Sequence, residues 1–247
     1  MYALVTGASS GIGKELSFLL AKQNYNLILV ARNKDQLMDI KKELTTYNID
    51  VVLEVLDLSI LNNCYSLFDR IKIFDVGLFV NNAGFGNLGL FTKTDLDIEL
   101  NLIDLNIKAL HILTKLYIQH FKSGTLVNIS SMASFLPTPL HATYSASKSY
   151  VYYFSRAISY ELKRENIDMQ VLTVVPGPVK TQFNSRARAK SSKGMDSRKC
   201  ASIIMKGITK KKELIIPGLR MKIVFFFIRF VPTKWLMKIA HNIQNSK

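Results

Sequence analysis

The sequence predicts a Rossmann-type α/β fold, a doubly wound parallel sheet of about seven strands flanked by helices, with a C-terminal helical tail. Two observations carry this prediction. Short apolar runs rich in β-branched residues alternate with longer amphipathic runs along most of the chain, which is typical of parallel strands joined by crossover helices. The first apolar run, at 2–6, leads at once into a Gly-rich turn that precedes an amphipathic run, as the first strand of such a sheet does.

The alternation assigns seven strands and six helices. The strands are expected at 2–6, 27–30, 51–55, 78–81, 125–129, 170–175 and 214–216. The helices are expected at 11–23, 34–47, 60–72, 95–120, 143–165 and 197–208. Residues 1–218 should therefore form one domain, followed by a basic, apolar helical tail over 219–247. The polar and basic stretch that begins near residue 180 predicts a mobile lid over the substrate, at about 180–212.

Composition narrows the class and the location of the protein. Its 247 residues are 48% hydrophobic, enough to bury a large core. Cys64 and Cys200 lie far apart and match no zinc-ligand spacing, so we expect thiols of a reducing compartment and no metal site. The N-terminus has no signal-peptide pattern, and no apolar run reaches the roughly 18 residues of a membrane span. The expected location is the cytoplasm, with peripheral contact at the inner face of a membrane as a further hypothesis.

The positive charge is concentrated in the last quarter of the chain. The formal net charge is +15, yet residues 1–179 carry 16 basic and 16 acidic side chains. Residues 180–247 carry 17 basic side chains against Asp196 and Glu213 alone. A block of one sign indicates an anionic partner, namely a phosphorylated substrate, an acidic carrier or lipid headgroups, or else a solvated Lys-rich surface. No recognition motif supports nucleic acid as the partner.

The Gly-rich turn at 6–13 has the spacing of a dinucleotide site. Gly7 permits a tight turn, Gly11 lets the backbone approach a pyrophosphate, and Gly13 lets the helix pack close to the sheet. Unpaired N–H groups at the helix N-terminus then face the phosphates. A P-loop is excluded because Gly13-Lys14 is followed by Glu15, and Ala8 stands where the first Gly is needed. The turn residues Ser9, Ser10 and Ile12 complete this part of the expected site.

The end of the second strand favours NADP(H) over NAD. An acidic side chain there would hold the ribose 2′-hydroxyl and repel a 2′-phosphate. The sequence has Ala31-Arg32-Asn33 instead, and Arg32 can pair with the phosphate. Asp57, followed by Leu58, comes after the third strand and either accepts a hydrogen bond from adenine or caps the next helix.

The chain resembles the short-chain dehydrogenase/reductase family, in its typical, non-extended branch. The matching residues occur in family order: Thr6-Gly7-x3-Gly11-x-Gly13, Asp57, Asn81-Asn82-Ala83-Gly84, Asn106, Ser131, Tyr144-x3-Lys148 and Pro176-Gly177-x3-Thr181. The stretch from Gly84 to Phe91 and the basic, apolar tail are similar to the DltE-like group. The resemblance implies strand order 3-2-1-4-5-6-7 and a homo-oligomer, a dimer or a tetramer.

Tyr144 and Lys148 carry the predicted chemistry. Their spacing of four places both on one face of a helix. A carbonyl reductase needs an acid for the developing alkoxide, and an adjacent ammonium and helix N-terminus should lower the pKa of Tyr144. Lys148 can also bond the nicotinamide ribose. The resemblance implies that the Ser131 hydroxyl hydrogen bonds to the substrate oxygen, with Ser130 as the alternative. It also implies that Asn106 supports a local helix distortion that links Lys148 to solvent.

The remaining strand ends complete the site. Asn82, Ala83 and Gly84 follow the fourth strand, and Pro176, Gly177, Val179 and Thr181 follow the sixth, so all should contact the cofactor. Apolar residues at 132–141 and at 85–91 predict the two walls of an apolar substrate pocket. The expected function is an NADP(H)-dependent oxidoreductase that reduces a carbonyl or oxidises an alcohol, on an apolar or acyl-thioester-like substrate. The alternative is a non-catalytic, NADP-binding regulator.

The tail at 219–243 allows two interpretations. Residues 223–228 are apolar on every face, and five cations flank or follow them. Trp235, Leu236, Ile239 and Ile243 form one apolar stripe. Such a pattern is typical of a helix at an anionic membrane surface, and equally of a helix docked on the enzyme body or on a second subunit.

Overall fold

The structure, a computed structural model, describes residues 1–181 and 194–245. Its central sheet has seven parallel strands in the order β3-β2-β1-β4-β5-β6-β9, which confirms the predicted fold. The seven strands are β1 Tyr2–Thr6, β2 Asn26–Ala31, β3 Val51–Val55, β4 Val76–Asn81, β5 Gly124–Ile129, β6 Met169–Val174 and β9 Leu214–Ile215. A second, two-stranded parallel sheet, β7 (Val179–Lys180) with β8 (Met195–Asp196), was not predicted from the sequence.

Helices connect these strands and continue past the last one. They are α1 Gly11–Ala21, α2 Lys34–Leu44, α3 Leu61–Ile71, α4 Leu96–Ile103, α5 Leu110–Phe121, α6 Ala142–Arg164, α7 Ser197–Thr209, α8 Leu219–Phe227 and α9 Thr233–Asn245. The helix predicted at 95–120 corresponds to α4 and α5 joined through a π-helical segment, Asp104–Ala109. The predicted helical tail corresponds to α8 and α9, with a short 3₁₀ turn between them.

Both faces of the sheet are covered by helices. On one face Leu29 packs in a cluster with Leu16 of α1 and Ile40 of α2. On the other face Phe79 packs in a cluster with Tyr117 of α5. The strands therefore bury side chains on both sides, which is why the sequence shows continuous apolar runs rather than alternation.

The parallel register brings the ends of all the strands to one edge. Thr6 pairs with Val30, and Ile129 pairs with Val174. The strand order reverses between β1 and β4, and in open α/β sheets ligands bind outside the carboxyl ends at such a point. The Thr6 hydroxyl connects the ends of β1 and β4 by accepting hydrogen bonds from the backbone N–H groups of Asn82 and Ala83, both at 3.0 Å.

The basic stretch at 180–212 divides into two parts. Residues 182–193 of the predicted lid lie outside the described residues. Residues 197–209 form α7, which packs against α1 and contributes Cys200, Ile204 and Ile208 to the core beneath the sheet. Their spacing of four places these side chains on one helical face, so this part of the predicted lid belongs to the folded body.

Truncating Ile204 should therefore destabilise the whole domain. Its side chain is fully buried, and Ile204→Ala should lower the free energy of unfolding by about 2–5 kcal/mol. Lys206→Ala, on the exposed face of the same helix, should change it by less than about 0.5 kcal/mol. Urea denaturation of both variants measures the difference. Equal stabilities would mean that α7 is not part of the core.

Candidate active site

One cavity of about 440 Å³ opens at the carboxyl edge of the sheet. It is lined by nearly all the residues that the sequence assigns to cofactor and catalysis. Those lining it are Gly7, Ser9, Ser10, Gly11, Ile12, Arg32, Asp57, Leu58, Asn82, Ala83, Gly84, Ser131, Tyr144, Lys148, Pro176, Gly177, Val179 and Thr181. Two predicted residues, Gly13 and Asn106, are buried behind its wall.

The Gly-rich turn forms one end of the cavity. Gly7 adopts a φ of +65°, a left-handed conformation that favours glycine. A Cβ on Gly13 would lie 2.3 Å from the Gly7 carbonyl oxygen, so only glycine allows α1 to start this close to β1. Ser10, the N-cap of α1, makes no side-chain hydrogen bond to the first turn. The turn thus presents backbone N–H groups and the positive end of a helix, which suit a phosphate.

Arg32 and Asp57 lie together where β2 and β3 end. The Arg32 Nη1 and the Asp57 Oδ2 are 3.2 Å apart, and the Arg32 side chain is 53% exposed. Asp57 also accepts hydrogen bonds from the Ser59 N–H and hydroxyl. Burial alone would raise the pKa of Asp57, but the Ser59 hydrogen bonds and the Arg32 guanidinium outweigh it and hold the pKa below its usual value. Asp57 does not cap the next helix, because the N-cap of α3 is Ile60 and no side chain among the described residues makes a capping hydrogen bond to its first turn. The adenine contact stays a prediction.

Ser131 and Tyr144 meet on the opposite side of the cavity. Ser131 precedes a short 3₁₀ turn, and its hydroxyl accepts a hydrogen bond from the Ala133 N–H at 3.2 Å. Ser131 also hydrogen bonds to Tyr144, in the first turn of α6. Ser130, the alternative, is buried and donates instead to the carbonyl oxygen of Lys148 at 2.7 Å. The geometry therefore places Ser131, not Ser130, beside the tyrosine.

Lys148 is buried at the floor of the site. Its Nζ donates a hydrogen bond to the Ile129 carbonyl oxygen at 2.9 Å. Burial lowers the pKa of Lys148 from 10.5 to about 8, because desolvation disfavours the ammonium. The ammonium therefore remains the main form at neutral pH and is lost in mildly alkaline solution.

The predicted fall in the pKa of Tyr144 is not seen. Desolvation raises the pKa of Tyr144, and the hydrogen bond from Ser131 offsets this only in part. Spacing along a helix shows that Tyr144 and Lys148 share a face, but it gives no measure of how much water the fold removes. Tyr144 is consequently a protonated phenol at neutral pH, a form suited to donating a proton.

Asn106 lies at the centre of the π-helical segment. Its side chain is fully buried; it accepts from the Phe85 N–H at 3.0 Å and donates to the Phe85 carbonyl oxygen at 2.9 Å and to Ser147 at 3.1 Å. These contacts join the π segment, the loop after β4 and α6. The resemblance implied a helix distortion at this residue, and such π segments occur often at functional sites.

Part of the cavity lining was predicted from the sequence and part was missed. His141, at the end of the wall predicted at 132–141, is buried and packs edge-on against the Tyr144 ring, with centroids 5.3 Å apart. The roof comes from Met221, Val224 and Ile228 in the tail, far along the chain. Of the second predicted wall, Phe85 lines the cavity, whereas Leu90 and Phe91 are exposed.

The fold and this site define a nucleotide-binding α/β protein with a Ser-Tyr-Lys cluster at the switch point of its sheet. A family model for the short chain dehydrogenases matches residues 1–192, more than three-quarters of the sequence. The chain therefore belongs to the short-chain dehydrogenase family, as its motifs indicated.

Curated relatives share about a third of their residues with this chain. The 17-beta-hydroxysteroid dehydrogenase type 3 of Mus musculus is 34% identical over 205 residues, 79% of this chain and 65% of that protein. The very-long-chain 3-oxoacyl-CoA reductase of Coccidioides immitis is 33% identical over 180 residues, 69% and 52%. The inactive hydroxysteroid dehydrogenase-like protein 1 of Homo sapiens is 35% identical over 178 residues, 69% and 54%. The chain thus spans about half to two-thirds of these relatives.

A solved structure covers almost the whole chain. A short-chain dehydrogenase from Sphingobium yanoikuyae, determined in complex with NADPH, is 26% identical with a TM-score of 0.84. The match covers 93% of this chain and 92% of that one. The similarity thus extends past the family match at 1–192 into the C-terminal region.

Replacing Lys148 by Met should change how stability depends on pH. Because the folded pKa lies below the usual one, the buried ammonium destabilises the fold below about pH 8, and this cost fades as pH rises towards 10.5. The stability of Lys148→Met relative to the unsubstituted protein should therefore fall by about 2 kcal/mol between about pH 7 and pH 9.5. Urea denaturation at the two pH values tests this.

The exposed Lys115 on α5 provides the control. Lys115→Met makes the same substitution at a lysine that faces solvent, so it separates the effect of burial from the effect of losing a lysine. A relative stability of Lys148→Met that stays constant or rises with pH would contradict the burial of a charged Lys148.

Proposed function

We propose that this protein is an NADP(H)-dependent oxidoreductase that reduces a carbonyl group or oxidises an alcohol by hydride transfer. One observation carries the proposal: Ser131, Tyr144 and Lys148 line the same cavity as the Gly-rich turn. The turn, with its helix N-terminus, fits the phosphates of a dinucleotide. The NADPH-bound structure of a relative in the same family supports this choice of cofactor.

Tyr144, Ser131 and Lys148 each have a separate role in carbonyl reduction. When bound, the nicotinamide supplies the hydride for the carbonyl carbon. Tyr144 gives its phenolic proton to the carbonyl oxygen, and Ser131 donates a hydrogen bond to the same oxygen as negative charge develops. The Lys148 ammonium stabilises the phenolate that Tyr144 becomes once it has given up its proton. Alcohol oxidation follows the same steps in reverse.

Asn106 acts through other groups, and we assign it a positioning role. It holds the backbone of Phe85 in the loop after β4 and the Ser147 hydroxyl next to Lys148. A Cβ on Gly84 would lie 2.9 Å from the Asn106 Oδ1 and 3.4 Å from the Lys148 Nζ, so Asn106 and Lys148 approach the same point. This proximity suits a path that returns a proton to Tyr144 from solvent through Lys148.

The 2′-phosphate of NADP(H) is the proposed partner of Arg32. The residue after Arg32 is Asn33, whose side chain accepts a hydrogen bond from the Gln36 N–H and so caps α2. No acidic side chain stands directly after β2 to repel the phosphate, and the half-exposed Arg32 can turn from Asp57 to meet it.

The substrate side of the cavity favours an apolar ketone or an acyl thioester. Met132, Leu136 and the tail residues Met221, Val224 and Ile228 give it an apolar lining. The names of two relatives, a 17-beta-hydroxysteroid dehydrogenase and a very-long-chain 3-oxoacyl-CoA reductase, agree with an apolar substrate. The DltE-like assignment within the family remains a prediction from Gly84-Phe85-Gly86, Gly89 and the tail.

The alternative is a non-catalytic, NADP-binding regulator. An inactive relative at 35% identity shows that proteins this similar can lack activity. The intact Ser131, Tyr144 and Lys148, with the tyrosine and serine hydrogen bonded, favour the enzyme. A screen of ketones and acyl thioesters that follows NADPH oxidation distinguishes the two, because a regulator would bind NADPH without consuming it.

Replacing Arg32 by Ala should weaken NADPH binding selectively. Loss of a charge-assisted hydrogen bond costs about 1.5–3 kcal/mol, or roughly 10- to 150-fold in affinity. NADH, which lacks the 2′-phosphate, should bind Arg32→Ala as it binds the unsubstituted protein. Arg70→Ala is the control, because Arg70 also pairs with a carboxylate, Glu54 at 2.8 Å, away from the cavity. Equal affinity of the unsubstituted protein for NADH and NADPH would refute the preference.

Replacing Tyr144 by Phe should abolish turnover and leave cofactor binding intact. The variant loses only the phenolic oxygen, and general-acid catalysis contributes roughly 10²–10⁴-fold in rate. Turnover is measured on a substrate found in the screen, and NADPH binding by fluorescence titration. Tyr150→Phe removes a hydroxyl that contacts His111 outside the cavity, and it should keep its rate. A near-normal rate for Tyr144→Phe would exclude the mechanism.

A further inference from the structure

The tail helix α8 has two apolar faces with different surroundings. Met221 and Phe225 face the body, where they pack in a small cluster with Met132, Val175 and Ile216. The opposite face carries Ile223, Phe226 and Phe227, which are 51%, 51% and 57% exposed, and Phe230 in the 3₁₀ turn that follows is 67% exposed. Four large apolar side chains at i, i+3, i+4 and i+7 form a continuous patch rather than scattered exposure.

Helix α9 extends this pattern. Ala240 is buried and lines the cavity, while Trp235 and Ile239 of the same helix are 70% and 52% exposed. We call the exposed set the outer stripe: Ile223, Phe226, Phe227, Phe230, Trp235 and Ile239. No helix in the described parts of the chain is long and apolar enough to cross a membrane.

Cations accompany the outer stripe and acids do not. Arg220, Lys222, Arg229, Lys234 and Lys238 all lie in or between the two helices and are exposed, and the sequence has no Asp or Glu after Glu213. The guanidinium carbon of Arg229 lies 5.3 Å from the Phe226 ring centroid and 5.9 Å from that of Phe230. Charge and apolar surface are therefore interleaved on one face.

We propose that the outer stripe docks this enzyme on an anionic phospholipid surface without spanning it. Aromatic residues beside Lys and Arg suit the headgroup region, where the rings enter the apolar boundary and the cations meet lipid phosphates. A second copy of the chain is a poorer occupant. A two-fold interface places the same surface on both sides, so five cations would face five cations with no acid among them to compensate.

Docking in this way would also place the substrate cavity at the lipid surface. The inward faces of α8 and α9 supply Met221, Val224, Ile228 and Ala240 to the cavity lining, so the helices that meet lipid also form the roof. An apolar substrate could then pass from the membrane past these helices. This consequence rests on the proposed function, whereas the docking itself does not.

Flotation of the full chain with lipid vesicles tests the docking. The protein should float with phosphatidylcholine vesicles that contain about 30% phosphatidylserine at low salt, and far less at about 0.5 M NaCl. The triple substitution Phe226→Ser, Phe230→Ser and Trp235→Ser should reduce binding at least tenfold. The matched control Ile73→Ser, Leu96→Ser and Tyr160→Ser changes residues that are 79%, 68% and 67% exposed elsewhere, and it should bind normally.

A second variant and its control test how much the cations of the tail contribute to vesicle binding. Lys222→Gln, Arg229→Gln, Lys234→Gln and Lys238→Gln together should reduce binding to the anionic vesicles at least tenfold and remove most of its salt dependence. Lys210→Gln, Lys211→Gln and Lys212→Gln change exposed cations that precede the N-terminal end of β9, whereas the tail follows its C-terminal end. This control should bind like the unsubstituted protein.

Three results would overturn the proposal. They are no flotation at low salt, equal loss of flotation in a variant and its control, and flotation that is indifferent to salt and to phosphatidylserine. Sedimentation of the triple Ser variant tests the other occupant: a smaller assembly, without vesicle binding by the unsubstituted protein, would make the outer stripe a contact between copies. Urea denaturation confirms that each variant is folded, and a failed turnover assay would count against the proposed function alone.

Discussion

The attachment of Lys148 to the end of β5 supports the arrangement of the whole site. Its ammonium donates to the Ile129 carbonyl oxygen, and its own carbonyl oxygen accepts from Ser130 and Ser134. One residue thus joins α6 to β5 through both its side chain and its backbone. This attachment holds Tyr144, one helical turn earlier, against Ser131 at the end of that strand. Burying the Lys148 ammonium costs desolvation free energy, and in return it fixes the geometry of the reacting groups.

The parallel sheet positions most of the other cavity residues without further structural elements. Because all seven strands end at one edge, the residues that follow them converge without long loops. The Thr6 hydroxyl then closes the switch point by holding the backbone after β4. Tyr144 and Lys148 are added from α6, and the roof of the cavity comes from α8 and α9 in the last quarter of the chain.

The sequence was most informative where local pattern and topology decide the structure. Strand ends were located to within about two residues, and the motif residues Arg32, Asp57 and Ser131 followed from them. The pKa of Tyr144 was predicted in the wrong direction, since desolvation depends on the whole surroundings of the phenol. The basic charge of 197–209 suggested a lid, although the stripe of Cys200, Ile204 and Ile208 already indicated a core helix. The roof residues could not be found, because no local pattern connects Met221 with Tyr144.

Residues 223–228 lack a polar face. A helix that packs against a soluble body and faces water on its other side is normally amphipathic. Here the inward residues Met221 and Phe225 pack against the body, whereas Phe226 and Phe227 stay more than half exposed among the described residues. An apolar face that the fold does not bury requires another apolar phase or another protein. The excess of cations is confined to the region after residue 179, and the residues before it carry no net charge. This excess favours an anionic lipid surface over another protein. The neutral part of the chain thus carries the chemistry, and the basic part carries the contact with the anionic surface.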